Sequence, residues 1–186
     1  MYVSETDIKN LILEAKNGNG EAFGRVYQEY LAPIYRFIYF RVPNKLEAED
    51  LTQEVFLRAF HSLNRFALGN NSPVAYFYRI ARNLLIDNYR KKKTVEIDID
   101  LISETMSTGE TPQNEAIKQD EIINLKKALD KISENEREVL ILKFIDDYDN
   151  SEIAEIMEKS EEAVRQLQSR GLKSLRQLIS NSDFNL

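Results

Sequence analysis

Cysteine is absent from the 186 residues, which removes thiolate catalysis, disulfides and Cys-ligated zinc from the functions open to this chain. A single histidine, His61, leaves triad chemistry and most transition-metal chemistry without the residues they need. No apolar run approaches the roughly 20 residues required to cross a bilayer, and no basic start leads into an apolar segment of signal-peptide type. A cytoplasmic location without membrane insertion is therefore expected. The carboxylates Asp50 and Glu54 are one helical turn apart, but they lack the Glu-x-x-His spacing of a carboxylate metal site and read as a solvated or partner-binding face. No catalytic residue, metal or cofactor is expected, and the chain reads as a binding protein instead of an enzyme.

Positive charge is also in deficit, with a net charge of −6. The deficit is uneven. Residues 1–93 carry 14 Lys and Arg against 10 Asp and Glu, residues 94–136 carry 4 against 11, and residues 137–186 carry 7 against 10. An acidic total gives weak non-specific attraction to DNA, so DNA binding by this chain should be assisted by another protein.

Apolar positions recur at helical spacing along most of the chain. A short helix is expected over 7–16, with Thr6 as its N-cap and Asn17-Gly18 as its stop. A longer one over 21–40 contains Pro33, where a kink or break is expected. The next, over 45–63, sets Ala48, Leu51, Val55, Phe56, Ala59, Phe60 and Leu63 against a face of Asp50, Gln53, Glu54, Leu57 and His61. Its carboxylates beside an exposed Leu57 suit a protein partner. Residues 64–72 form a loop by their Asn, Gly and Ser content, with Arg65 and Phe66 standing out from it.

Pro73 opens a helix over 73–93. One arc carries Val74, Phe77, Tyr78, Ile80, Ala81, Leu84, Leu85 and Tyr89; the other collects Tyr76, Arg79, Arg82, Asn83, Asp87 and Arg90 and runs out into three lysines. Such a face fits a phosphate backbone and unstacked bases, or equally a solvated surface over a core helix. The alternation of apolar and acidic residues over 95–102 has the period of a strand, but no partner strand is in prospect, and an extended acidic linker is expected.

Helices follow over 112–131, from the capping box Ser133 to Glu136 through Phe144, from Ser151 through Met157, and over 161–179 after the Lys159-Ser160 turn. The last two form a helix-turn-helix pattern. On the second, Val164, Leu167, Gly171, Leu175 and Leu178 make the buried stripe, and Gly171 permits close approach of a neighbour. Glu162, Arg165, Gln166, Ser169, Arg170 and Lys173 face outward. Arg and Gln are the side chains that read guanine and adenine edges, and Ser, Lys and Arg reach phosphates.

Three stretches, 48–60, 73–93 and 129–175, together resemble a bacterial RNA polymerase sigma factor of the extracytoplasmic-function (ECF) group, in that group's order and spacing. The resemblance implies an all-α chain of two small domains: a sigma region 2-like bundle over 1–93 and a region 4-like helix-turn-helix domain over 112–186, joined by a flexible acidic linker over 94–111. It implies that Asp50, Gln53, Glu54 and Leu57 grip the clamp coiled-coil of core RNA polymerase. The loop holding Arg65, Phe66 and Asn70 would take a flipped base of the minus-10 element, with Tyr76, Arg79, Asn83, Arg90 and Lys91 along duplex and melted strand. Glu162, Arg165, Gln166, Ser169, Arg170 and Lys173 would enter the minus-35 groove while their domain docks on the polymerase flap. Partners implied are core polymerase, promoter DNA and an anti-sigma factor of the kind that wedges between the two domains.

Two features depart from the group. Tyr76 stands where many relatives have Trp, which keeps a stacking ring, and Leu167 and Leu172 stand where many carry Arg, which thins the phosphate contacts. An operator-binding regulator and a helical adaptor without DNA binding remain as alternatives. The first would be expected to add a ligand or receiver domain, and none is visible.

Overall fold

The computed structural model describes residues 4–66, 72–95 and 113–181. Among them every regular element is helical: α1 (Glu5–Lys16), α2 (Gly20–Tyr39), α3 (Lys45–Ser62), a 3₁₀ turn (Leu63–Arg65), α4 (Pro73–Val95), α5 (Gln113–Leu129), α6 (Glu134–Phe144), α7 (Asn150–Met157) and α8 (Glu161–Asn181). The first four helices pack as a bundle, with α2 against α1, α3 and α4; in the second half α8 packs against α5, α6 and α7. The halves touch through α4 with α7 and α2 with α6, and one continuous set of buried apolar side chains runs through both. The expected linker lies almost wholly outside the described residues, since α4 extends to Val95.

Local chemistry explains most boundaries. Ser4 caps α1, its hydroxyl accepting from the Asp7 backbone N–H at 3.1 Å, so the helix begins two residues ahead of the expected start. Gly18 follows the helix at φ 94°, a conformation glycine adopts without steric penalty. Pro33 does not break α2. Val26, Tyr30, Ile34, Phe37 and Ile38 are buried on either side of it, and packing of that face outweighs the loss of one backbone hydrogen bond. Asn44 caps α3 by accepting from the Glu47 N–H at 2.9 Å.

The helix-turn-helix is cut by two features. Asp149 and Glu152 form a reciprocal capping box, with N–H to carboxylate distances of 2.9 and 2.8 Å, which starts α7 one residue before the expected Ser151. Glu158 then takes a left-handed conformation, φ 55°, and ends α7 in a tight turn. Ser160 accepts from the Ala163 N–H at 3.2 Å as α8 begins. The expected close approach at Gly171 is present: an added Cβ would lie 3.0 Å from Leu140 Cδ1 and 3.1 Å from its Cγ.

The cap at Asp149 yields a pH-dependent prediction. The Glu152 backbone N–H, and then the Ser151 hydroxyl, hold the Asp149 carboxyl below the usual carboxylate range. A depressed pKa contributes stability that is complete above the unfolded-state value and is lost as pH falls through the depressed one. Asp149→Ala should therefore cost about 1 kcal/mol near neutrality, and the difference from the parent should shrink below about pH 4, measured by urea unfolding at several pH values.

Candidate polymerase and nucleic-acid interfaces

The first candidate face lies on α3. Asp50, Gln53 and Leu57 are exposed on successive turns, Leu57 to 54%, and the half-buried Glu54 accepts from Arg58 Nε at 2.7 Å. Phe60, assigned to the buried arc by periodicity, is instead 49% exposed and packs edge-on against Phe23, with centroids 5.0 Å apart. Thr52 takes a buried place because its hydroxyl donates to the Ala48 carbonyl at 2.6 Å. Leu57 and Phe60 therefore lie one turn apart as an apolar strip beside Asp50 and Gln53. Sequence reasoning missed Phe60, since its residue type argues for burial.

The second face is α4, and here the two-arc reading needs correction. Tyr76, placed on the polar arc, is buried. Its hydroxyl is 2.6 Å from the Ser62 hydroxyl, and its ring packs on Phe66 at 4.7 Å and Phe77 at 5.5 Å. Phe66, which the sequence placed in a polar loop, is buried as well. Tyr89, placed on the apolar arc, is 70% exposed. The reason is that α4 is covered on more than one side, by α2 and α3 and also by α7, so a single buried stripe does not describe it.

Arg65, Arg79, Asn83, Arg90 and Lys91 are exposed as expected, and the Arg79 guanidinium sits 6.0 Å from the Tyr76 ring. Lys16 Nζ donates to the Phe66 carbonyl at 2.8 Å and ties α1 to the residue after the 3₁₀ turn. Asn70 lies outside the described residues. A cavity of about 240 Å³ opens here, walled by Phe66, Ser72, Ala75, Tyr76 and Arg79 on one side and by Glu155 and Glu158 of the second half on the other.

The third face is α8. All six predicted readers, Glu162, Arg165, Gln166, Ser169, Arg170 and Lys173, are exposed, while Val164 and Gly171 are buried and Leu167, Leu175 and Leu178 half-buried. Gln168 Nε2 donates to Asn150 Oδ1 at 2.8 Å and ties α8 to α7. Arg165 Nη1 donates to Glu161 Oε2 at 3.2 Å, an exposed pair that contributes little and is broken at little cost.

Between the halves lies a polar network that sequence reasoning did not find. Arg36 Nε donates to Asp146 Oδ1 at 2.6 Å, and the Tyr78 hydroxyl donates to Asp146 Oδ2 at 3.1 Å. Arg82 Nη2 donates to Glu138 Oε1 and to the Ile156 carbonyl at 2.8 Å. Arg41 donates through Nε to Glu134 at 2.9 Å and through Nη1 to the Phe37 carbonyl at 2.6 Å. Burial pushes the Asp146 carboxyl up, against the opposing pull of Arg36; it also raises the Tyr78 and Tyr148 phenols and lowers the Arg41 guanidinium. The partners that join the two halves are 56 to 110 residues apart, so no local pattern marks them.

Beside this network a wider cleft of about 920 Å³ separates the carboxy-terminal half of α4 from α6 and the end of α7, with Leu85, Ile86, Tyr89 and Met157 supplying apolar lining. Among the described residues no helix is long and apolar enough to cross a membrane, and no cluster of His, Asp and Glu is arranged to hold a metal ion.

These faces can be set beside known proteins. Residues 26–95 match the family model for Sigma-70 region 2, and residues 128–177 match that for Sigma-70 region 4. The ECF RNA polymerase sigma factor BldN of Streptomyces coelicolor is 31% identical over 91% of this chain, which spans 64% of BldN's length. SigX of Bacillus subtilis is 33% identical, covering 84% of this chain and 82% of SigX, and SigW of the same organism is 31% identical, covering 94% and 98%. The solved structure of CnrH in complex with the cytosolic domain of CnrY superposes with a TM-score of 0.74 at 21% identity, covering 95% of this chain and 99% of that one, which is a likeness of fold. Sigma factor RpoE of Bartonella quintana, solved with the anti-sigma factor NepR, gives 0.67 at 23%, covering 86% and 98%. With both region models matched in order across more than half its length, and relatives above 30% identity spanned almost end to end, the chain belongs to the ECF RNA polymerase sigma factor family.

Proposed function

We propose that this chain binds core RNA polymerase, directs it to promoters read at two elements, and promotes strand separation at the downstream one. The observation that carries the reading is α8. The second helix of a tight helix-turn-helix turns Arg165, Gln166, Ser169, Arg170 and Lys173 to solvent on one face and packs its opposite face down to a glycine contact. That is the geometry of a helix meant for a major groove.

The remaining assignments follow the exposed chemistry. Asp50, Gln53, Glu54 and Leu57, extended by Phe60, form the polymerase-binding strip. Phe66 and Tyr76, buried as they are, wall a cavity with Ser72 and Arg79, so a flipped base is held against their rings inside a pocket and not stacked on the open helix surface. Arg65, Arg79, Asn83, Arg90 and Lys91 run past that pocket as contacts for the displaced strand. Capture of an unstacked base contributes on the order of 1–3 kcal/mol, so a few captured bases shift the melting equilibrium without covalent chemistry. An anti-sigma factor is the further partner. CnrH and RpoE are each solved with a bound protein, and the cleft lined by Leu85, Ile86, Tyr89 and Met157 offers an apolar seat between the halves.

Reconstitution with core polymerase on promoter DNA tests the proposal, with open-complex formation read by permanganate reactivity of unpaired thymines. Promoter-specific opening is expected; failure to bind core polymerase would sink the reading. Arg165→Ala with Gln166→Ala should lower opening roughly 10–100-fold on promoters that depend on the upstream element, the loss expected for one or two base-edge contacts. Affinity for core polymerase should not change. An equal fall in both would make α8 a structural helix.

A further inference from the structure

The carboxy-terminal end of α4 has little apolar packing to hold it. Leu84 is the last buried side chain of that helix; from Leu85 to Lys92 none is buried, and Ile86 and Tyr89 are exposed. Helical turns with few buried apolar contacts open easily, because water competes for their backbone hydrogen bonds. Yet two of the residues assigned to the displaced strand, Arg90 and Lys91, stand on this end.

A carboxylate on another helix holds it. Glu47, in the first turn of α3, accepts from Asn88 Nδ2 and, at 2.6 Å, from Lys92 Nζ. Asn88 and Lys92 are four residues apart and so share one face of α4. The Glu47 side chain is only 16% exposed, and its backbone N–H is fixed by the Asn44 side chain at 2.9 Å. A carboxylate withdrawn that far from water holds its donors more firmly than a fully exposed pair does. Lys92 is therefore not equivalent to Lys91, although the sequence sets them side by side. Lys92 is turned to α3, and Lys91 is exposed.

Glu47 also stands beside the polymerase strip. It follows Leu46, which is 68% exposed, and lies three residues before Asp50. One helix thus carries the polymerase contact on one face and the fixing point for the end of α4 on another. We propose that Glu47 is a positioning residue for strand separation: through Asn88 and Lys92 it sets the direction of the end of α4, so that Arg90 and Lys91 meet the displaced strand in register with the polymerase that holds α3. Lys92 serves that purpose and is not itself a phosphate contact. The inference rests on the sigma-factor reading, in which α3 binds polymerase and α4 the strand.

Hydrogen exchange on the full chain, free of polymerase and DNA, reads the tether directly. Glu47→Ala should speed exchange of the amides of residues 86–92 by about tenfold and leave α8 unchanged. Promoter opening with core polymerase reads its use. In Glu47→Ala and in Lys92→Ala the opening rate should fall roughly tenfold, as expected when contacting groups are slightly misplaced. Affinity for core polymerase, and the holoenzyme concentration that half-saturates the promoter, should not change. The two substitutions remove one interaction, so the double variant should fall no further than either single variant. Lys92→Arg keeps a cation within reach of Glu47 and should open promoters at the parent rate.

Salt dependence separates the two lysines. Lys91→Ala should reduce the salt slope of promoter binding by about one counterion, whereas Lys92→Ala should leave it as in the parent. Unchanged exchange over 86–92 in Glu47→Ala, opening at the parent rate despite faster exchange, or losses that multiply in the double variant would each overturn the positioning role. If the parent itself opens no promoter, the sigma-factor reading falls instead, and the exchange result still decides whether Glu47 holds the helix end.

Discussion

Asp50→Lys combined with Leu57→Asp should weaken binding to core RNA polymerase about 100-fold, equivalent to about 3 kcal/mol, while leaving the fold intact. Both side chains are exposed on α3, and substitutions at such positions usually change stability by no more than about 0.5 kcal/mol. Binding is a different matter. An aliphatic side chain that stands out of the surface beside a second exposed apolar group, Phe60, is the kind of anchor that fills a partner's pocket. Asp50 and Gln53 supply a polar rim whose charge speeds encounter with a basic surface. Titration of the labelled chain with core polymerase measures the effect, and the paired control is Leu172→Asp, an exposed leucine on α8 away from this strip. Unchanged affinity in the α3 variant would remove that face from the polymerase contact. The loss should also be smaller at high salt, because the acidic part of the attraction is already screened there.

Phe77→Ala should destabilise the amino-terminal bundle by about 3–5 kcal/mol. Phe77 is fully buried where α2, α3 and α4 meet, with ring centroids 5.0 Å from Tyr30, 5.5 Å from Phe56 and 5.5 Å from Tyr76. Removing the ring leaves a cavity with rigid aromatic walls, which collapse poorly, so the cost belongs at the upper end for a large-to-small change. For a chain of this size a loss of that magnitude lowers the melting temperature by roughly 10 °C. Near-ultraviolet circular dichroism, which reports the packed tyrosines, follows the transition directly. The same substitution undermines the cavity wall formed by Tyr76 and Phe66, so promoter opening should fall further than affinity for core polymerase. An unfolding midpoint within 1–2 °C of the parent would show that the aromatic cluster is not the keystone of the bundle.

Much of this architecture could be read before any coordinates. Helix positions followed from apolar spacing and caps: Asn17-Gly18 ends α1, Glu136 accepts from the Ser133 N–H at 3.2 Å at the start of α6, and Ser160 precedes α8. These are local effects, decided within four or five residues by hydrogen bonds the segment makes with itself. The outward face of α8 was legible for the same reason. It packs on one side only, so a single apolar stripe describes it, and Gly171 marked where a neighbour approaches.

Periodicity failed where a helix has neighbours on several sides. Tyr76 read as part of the polar arc and is buried; Phe60 and Tyr89 read as core and are exposed. Pro33 read as a kink or a break and sits inside a continuous helix because the flanking residues are held by the bundle. The pattern of α4 marks a basic helix with an aromatic, but not the division of its arginines into exposed Arg79 and engaged Arg82.

What the sequence by itself determined is the set of helices, their caps, the chemistry of the α3 and α8 faces and the family to which they belong, because each depends on residues close together in the chain. What only the tertiary structure decided is which rings wall a cavity and how the two halves meet. Arg36 and Asp146 lie 110 residues apart, and Arg82 and Glu138 lie 56 apart. Their pairing is a property of two folded surfaces brought together with water removed from between them. No spacing along the chain encodes that encounter, and burial makes the Asp146 and Glu138 carboxylates dependent on those arginines.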